Sequence, residues 1–282
     1  MNVESLSAAL RFDRDAGLWR AVTTRAVAYP ADDHAACFGV EDASFWFRHR
    51  NRCIAAAVRR FEPAGFILDV GGGNGYVSRG LIDAGCEAVL LEPGPTGARN
   101  ARESRGLPDV ICATLEDAAI VPGSVPAVGL FDVLEHIEDD RAFVARLHEM
   151  LRPGGWLYLT VPAFTSLWSM SDVDAMHFRR YTRATLTRVL AGRFEVAYAT
   201  YLFGRLTPLF FLSRTLPYRL GITKARSARA YETEHAAGGS RMAALVERAL
   251  AHEVAAIAAG RSLAMGSSLL VVARRVDQAR NA

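Results

Sequence analysis

Residues 66–76 read Phe-Ile-Leu-Asp-Val-Gly-Gly-Gly-Asn-Gly-Tyr, an apolar run of strand length that empties into a glycine-rich turn and then a helical pattern. A turn of that kind lets a ligand meet the backbone without meeting a Cβ. The spacing excludes the dinucleotide fingerprint G-x-G-x-x-G, since the residues five past Gly71 and Gly73 are Tyr76 and Ser78. What stands there instead is acid-x-G-x-G-x-G, with Asp69 ahead of Gly71, Gly73 and Gly75. A carboxylate in that place suits a ligand with a cationic group and no phosphate.

Short apolar runs recur at 66–70, 87–91, 109–112, 127–133, 156–161, 194–200 and 268–273. Stretches of helical spacing separate most of them, among them Tyr76 to Ala84, Thr96 to Ser104 and Asp139 to Leu151. Strands alternating with helices predict an α/β fold with a mainly parallel sheet covered on both faces. The alternation starts near residue 66, so residues 1–60 are expected to form an N-terminal helical cap on a domain spanning 61–282. The long gap between the sixth and seventh runs marks 201–266 as an insertion, where acceptor recognition, oligomerisation or a surface contact usually resides.

Composition narrows the partners. The chain is 51% hydrophobic with a formal net charge of +3, which is ordinary for a globular protein and too small to announce a nucleic-acid binder. Cys37, Cys53, Cys86 and Cys112 form no C-x-x-C pair, which argues against a zinc knuckle or a disulfide framework and fits a reducing cytosol. The first residues lack the apolar core of a secretory signal and no run has the length of a spanning helix, so a cytoplasmic location is expected.

The second strand closes on Glu92, 19 positions after Gly73, where a carboxylate can accept both ribose hydroxyls of a nucleoside. Further pieces follow in Leu130-Phe131-Asp132-Val133-Leu134-Glu135-His136-Ile137, Leu151-Arg152-Pro153-Gly154-Gly155-Trp156 and Val161-Pro162-Ala163. In their order and spacing, over roughly 44–200 and 266–275, these motifs resemble the class I S-adenosylmethionine-dependent methyltransferases. The segment 132–137 and His177-Phe178-Arg179-Arg180-Tyr181 are similar to the branch holding ubiquinone-biosynthesis-type and related bacterial methyltransferases. The resemblance implies a Rossmann-like seven-stranded sheet, mostly parallel with an antiparallel last strand, and S-adenosyl-L-methionine as cofactor. It implies Asp69 and the Gly71 to Gly75 turn at the methionyl end, Glu92 on the ribose, Leu115 and Glu116 beside the adenine, and the backbone of Leu130 and Phe131 beneath the sulfonium. The chain departs from many relatives at Val125-Pro126, where they open the fourth strand with an Asp after Phe.

Methyl transfer is an in-line displacement from an activated sulfonium, so the protein aligns the reactants and manages one acceptor proton. His136, at the rim of the fourth strand, is the first candidate base and His177 the second, and either could instead cap a helix or anchor a loop. Arg179, Arg180 and Tyr181 could bind an anionic acceptor or anchor their own loop. Asp132, Glu135 and His136 could together hold Mg²⁺ or Mn²⁺ against an acceptor hydroxyl, as some O-methyltransferases of this type and some RNA-end methyltransferases do. The expected acceptor is a small molecule or a lipid-linked compound, methylated at oxygen. A nucleic-acid methyltransferase would be expected to add a basic groove or an RNA-binding domain, and a non-catalytic scaffold to lose the glycine turn or Glu92. Residues 196–231 carry Arg205, Arg214, Arg219, Lys224, Arg226 and Arg229, no acid, and a dense apolar load. That stretch is expected to be a lid, a dimer surface, or a peripheral membrane contact through 201–221 at the inner membrane face.

Overall fold

The computed structural model describes residues 3–22, 38–222 and 241–277. Among them, nine strands build one sheet: β1 (Leu10–Asp13), β2 (Leu18–Ala21), β3 (Ile67–Val70), β4 (Ala88–Leu91), β5 (Val110–Cys112), β6 (Val125–Phe131), β7 (Leu151–Pro162), β8 (Phe194–Leu202) and β9 (Ser268–Arg275). Their spatial order is β1-β2-β5-β4-β3-β6-β7-β9-β8. Pairing is parallel from β2 across to β7 and antiparallel at both ends, with β9 running against β7 and β8. The helices are α1 (Phe45–Arg60), α2 (Tyr76–Asp83), α3 (Pro95–Arg99), α4 (Leu115–Ala118), α5 (Asp140–Met150), α6 (Met170–Asp174), α7 (Arg183–Leu190), α8 (Thr207–Phe210), α9 (Leu216–Arg219) and α10 (Arg241–Ala258).

Every residue of β3 and β6 is buried, because a strand sandwiched between two helical layers has no solvent face and so shows no polar alternation. Successive side chains still point to opposite layers. Ile67 packs with Ile54, Leu81 and Ile257 from α1, α2 and α10, whereas Leu68 packs with Val144, Leu147 and Leu186 from α5 and α7. β3 and β6 are neighbours from which the chain departs in opposite directions, to β4 and to β7. That reversal opens a crevice at the carboxyl ends of these two strands.

Two expectations need correction. The sheet has nine strands and not seven, and residues 1–60 are not simply a helical cap: β1 and β2 form a hairpin that continues the sheet beyond β5. Asp13 drives the hairpin turn, accepting from the backbone of Asp15 and Ala16 at 3.1 Å and from Arg20 Nε at 2.8 Å, while Gly17 supplies a left-handed φ of 65°. α1 is the long helix of the predicted kind among the described residues of this region. Ser44 caps it by accepting from Trp46 N at 3.2 Å, and Cys53, Ile54 and Ala57 line its buried side.

In the 201–266 insertion, β8 runs to Leu202, Phe203 turns the chain with a φ of 62°, and a helical arm follows through α8, a π-turn at Phe211–Thr215 and α9. Lys224, Arg226 and Arg229 lie outside the described residues. The root of the arm is clasped by Glu253 of α10, whose carboxylate accepts from Phe203 N at 2.7 Å and Gly204 N at 2.8 Å and pairs with His49 of α1 at 2.9 Å. All three elements are thereby tied together under the arm. Among the described residues, no helix is long and apolar enough to cross a membrane.

Candidate active site

The glycine turn leaves β3 at the crevice with Gly71, Gly73 and Gly75 all in the left-handed region, at φ of 70°, 57° and 75°. Gly72 between them has no room for a side chain, since a Cβ would fall 2.5 Å from Asp69 Oδ2 and 2.4 Å from Leu90. Asp69 is fully buried. Its Oδ2 accepts from the Ser78 hydroxyl at 2.6 Å and its Oδ1 has no hydrogen-bond partner. Burial pushes its carboxyl up to about 6 despite the Ser78 hydroxyl and the Arg50 charge. Glu92 is likewise buried and accepts from Gly73 N at 2.8 Å and Gly94 N at 2.6 Å. Burial, aided by the charge of Asp69, raises it to about 7 against those two amides. Two buried acids on one turn are costly alone and suit a ligand that brings donors and positive charge.

The remaining cofactor-side expectations separate. Leu130 and Phe131 are buried in β6, so only their backbone can meet a ligand. Leu115 packs on the core, and Glu116 turns outward to pair with Arg146 of α5.

Sequence reasoning missed Arg50. It is buried in α1 and pairs with Asp132, the residue just past β6, whose φ of 56° is strained, and it lies 4.7 Å from the Trp46 ring and 5.6 Å from the Phe47 ring. Asp132 also accepts from Thr160 Oγ1 at 3.0 Å. The turn and this pair adjoin, for a Cβ on Gly71 would come within 3.0 Å of Val133. The acid-free run from Ala43 to Phe61, with an arginine inside an otherwise apolar helical face, is the signal that could have found it.

Past Asp132 the chain makes a single 3-10 turn, Leu134–His136, that places Glu135 and His136 in a cleft of about 310 Å³ together with Phe47, Arg50, Asp132, His177 and Phe210. His136 and His177 meet edge to face with ring centres 4.7 Å apart. His177 Nδ1 bonds Asp172 Oδ1 at 2.9 Å, and Arg180 Nε holds the same oxygen at 2.7 Å. Burial would lift Asp172, but the bonds from His177 and Arg180 win and hold it at about 2. Burial and the charge of His177 lower His136 to about 4, so it is neutral through the physiological range. Glu135 is buried with Oε2 unpartnered, and burial carries it up to about 8.

Arg179, Arg180 and Tyr181 turn out to be anchors. Arg180 grips Asp172 and the Ala163 carbonyl, Arg179 pairs with Asp140, and the buried Tyr181 hydroxyl donates to Asp140 at 2.9 Å. Asp132 is taken by Arg50, so the expected metal trio of Asp132, Glu135 and His136 does not assemble. Glu135, His136 and His177 do, with one donor atom from each lying within 4.8 Å of the others.

Residues 45–197 match the family described as a methyltransferase domain. A ubiquinone biosynthesis O-methyltransferase of Xanthomonas campestris pv. campestris is 34% identical over 130 residues, 44% of this chain and 54% of that protein. The chain thus spans about half the length of the curated relatives it matches. Among solved structures, a chain of the complex between the Haloferax volcanii Trm112 methyltransferase activator and a methyltransferase superposes with a TM-score of 0.55 at 18% identity, covering 88% of this chain and 97% of the other. The Haemonchus contortus phosphoethanolamine N-methyltransferase 2, solved with S-adenosyl-L-methionine, does so at 0.53 and 17%, covering 88% and 58%. At these identities the structures speak for the fold alone.

Proposed function

The chain belongs to the class I S-adenosylmethionine-dependent methyltransferases, and we propose that it methylates a hydroxyl of a small-molecule or lipid-linked acceptor held in the cleft beside His136 and His177. The observation that carries this reading is that the glycine turn leaving β3 adjoins Val133, in the segment leaving β6 that brings His136 beside His177 in a cleft. Relatives named as O-methyltransferases support oxygen as the accepting atom.

The residues present fit the cofactor. Asp69 Oδ1 lacks a partner, and Glu92 is a second buried carboxylate, bonded to the turn at Gly73 N. Asp69 and Arg50 would hold the charged ends of the methionyl group and Glu92 the ribose. When bound, S-adenosylmethionine supplies a methyl group on a positively charged sulfur, so the acceptor oxygen need only align and lose its proton.

His177 is the better base. Asp172 stays ionised and fixes the Nδ1 side of the ring, which leaves Nε2 as the acceptor for the proton, and the same carboxylate stabilises the imidazolium that forms. His136, neutral and packed against it, is a poor base at pH 7 and serves to wall and orient the acceptor. Phe47 and Phe210 give the cleft an apolar wall, which favours an acceptor with an apolar body. Radiolabelled methyl transfer into small-molecule, lipid and RNA extracts tests the reading. Label is expected in the small-molecule or lipid fraction, and label confined to RNA would overturn it.

A second reading rests on Glu135, His136 and His177, an oxygen and two imidazoles able to hold a divalent cation against the acceptor hydroxyl. The bond from His177 to Asp172 is the outer support such ligands usually have. Under this reading activity collapses in excess chelator and returns with Mg²⁺ or Mn²⁺. Full activity in chelator leaves His177 as a plain base.

A further inference from the structure

The surface around the cleft mouth is unusually apolar. Val173, Met176 and Phe178 are 43–52% exposed, and Leu209, Leu212, Leu220 and Ile222 are 58–68% exposed. Together they are seven of the eleven large apolar side chains exposed among the described residues, and all come from the two segments that wall the cleft. In each segment the neighbouring residues face inward: Asp172, Ala175 and His177 in the first, Phe210, Arg214 and Thr215 in the second. The π-turn of the arm packs against α6, and Thr215 and Arg219 bond the carbonyls of Leu167 and Ser166, so the two patches flank one opening.

Charge identifies what could cover this face. Arg205 and Arg219 are exposed beside the second patch, and residues 196–222 hold no acid, while exposed Asp174 and Glu138 lie beside the first. A symmetric pair of chains would gather both copies' arginines into one interface whose arm segments bring no acid to pair them. An anionic leaflet would meet the apolar side chains and the arginines at once.

We propose that the cleft mouth docks on an anionic lipid bilayer, with the outer side chains of 209–222 and of 173–178 entering the headgroup boundary on either side of the opening. The methyl-transfer reading enters only in what the cleft does once docked, which is to admit its acceptor from the lipid side. Docking itself needs neither cofactor nor acceptor.

Co-sedimentation of the full chain with phosphatidylcholine vesicles, with and without about one-third phosphatidylglycerol, tests this. The chain should pellet with the anionic vesicles at low salt and bind neutral vesicles about tenfold more weakly. The pairs Leu212→Ser with Leu220→Ser, and Met176→Ser with Phe178→Ser, should each weaken binding about tenfold, since none of these side chains lines the cleft. A wild type that stays in the supernatant overturns the proposal, as do variants that pellet like the wild type. Light scattering supplies the remaining outcome: a wild-type dimer that either pair of substitutions turns into monomers assigns the face to a second copy. Calorimetry with S-adenosylmethionine on the same preparations keeps the two readings apart. Vesicle binding without cofactor affinity defeats the methyl-transfer reading, and cofactor affinity without vesicle binding defeats only the docking.

Discussion

His177→Ala slows methyl transfer by about 10²–10⁴-fold, the usual worth of a positioned general base, while the affinity for S-adenosylmethionine stays close to that of the wild type. The imidazole is oriented through Nδ1 by an acid held at about 2, so the ring's other nitrogen is committed to the cleft and not to the glycine turn. Asp172→Asn tests the orientation separately. An amide can donate as well as accept, so the ring can settle in the wrong tautomer, and kcat should fall while KM holds. Unchanged calorimetric affinity for S-adenosylmethionine in both variants distinguishes this from structural damage. A His177→Ala enzyme of wild-type rate would remove the base assignment, whereas His136→Ala is expected to be the milder change, because a ring held at about 4 is a weak base for the acceptor proton.

The sequence made the sheet legible from its centre to β8 and missed the hairpin at the other edge, for a physical reason. β3, β4 and β6 are buried on both faces and therefore read as continuous apolar runs, which few other structures produce. β1 and β2 are four residues each and lie at a sheet edge, where Leu10 and Leu18 are buried and Arg11, Phe12 and Arg20 are at least partly exposed. So short an alternation is no louder than chance, although Asp-Ala-Gly between the two runs is a turn signal that could have been weighed. The candidate site divides in the same way. Asp69, the glycines and Glu92 announce themselves because close backbone approach demands glycine and because a buried acid at a strand end has few other uses. Arg50 is marked only by its place on the apolar face of an acid-free helix and Asp172 by nothing local, since each acquires its partners only when α1 and α6 close over the strand ends. The histidines were visible as residues, but their order of importance was not: the partner that favours His177 lies five residues back across a turn whose geometry the spacing alone does not give.

Glu92→Ala weakens S-adenosylmethionine binding by about 1.5–3 kcal/mol, or roughly 10- to 150-fold, because it deletes a charged acceptor in a buried site. The alanine also frees Gly73 N and Gly94 N, so part of that loss reflects a loosened turn, and Glu92→Gln, which keeps the size and one acceptor, should fall between the two. Proton linkage separates the contributions. With the carboxyl at about 7 in the free protein, only the ionised form is ready to accept from both ribose hydroxyls, so binding expels a proton and affinity rises with pH. Between pH 6 and pH 8 the ionised fraction climbs from about a tenth to about nine-tenths, and the wild-type Kd should fall by roughly the same factor. Asp69, at about 6, adds to the slope only below pH 6.5 or so. Calorimetry from pH 5 to pH 8 should find the full slope in the wild type and, in Glu92→Gln, only its acid-side part, through Asp69. A wild-type affinity flat from pH 5 to pH 8, or a Glu92→Ala protein that binds as tightly as the wild type, would mean that the ribose is held elsewhere and that the two buried acids serve only to brace the glycine turn.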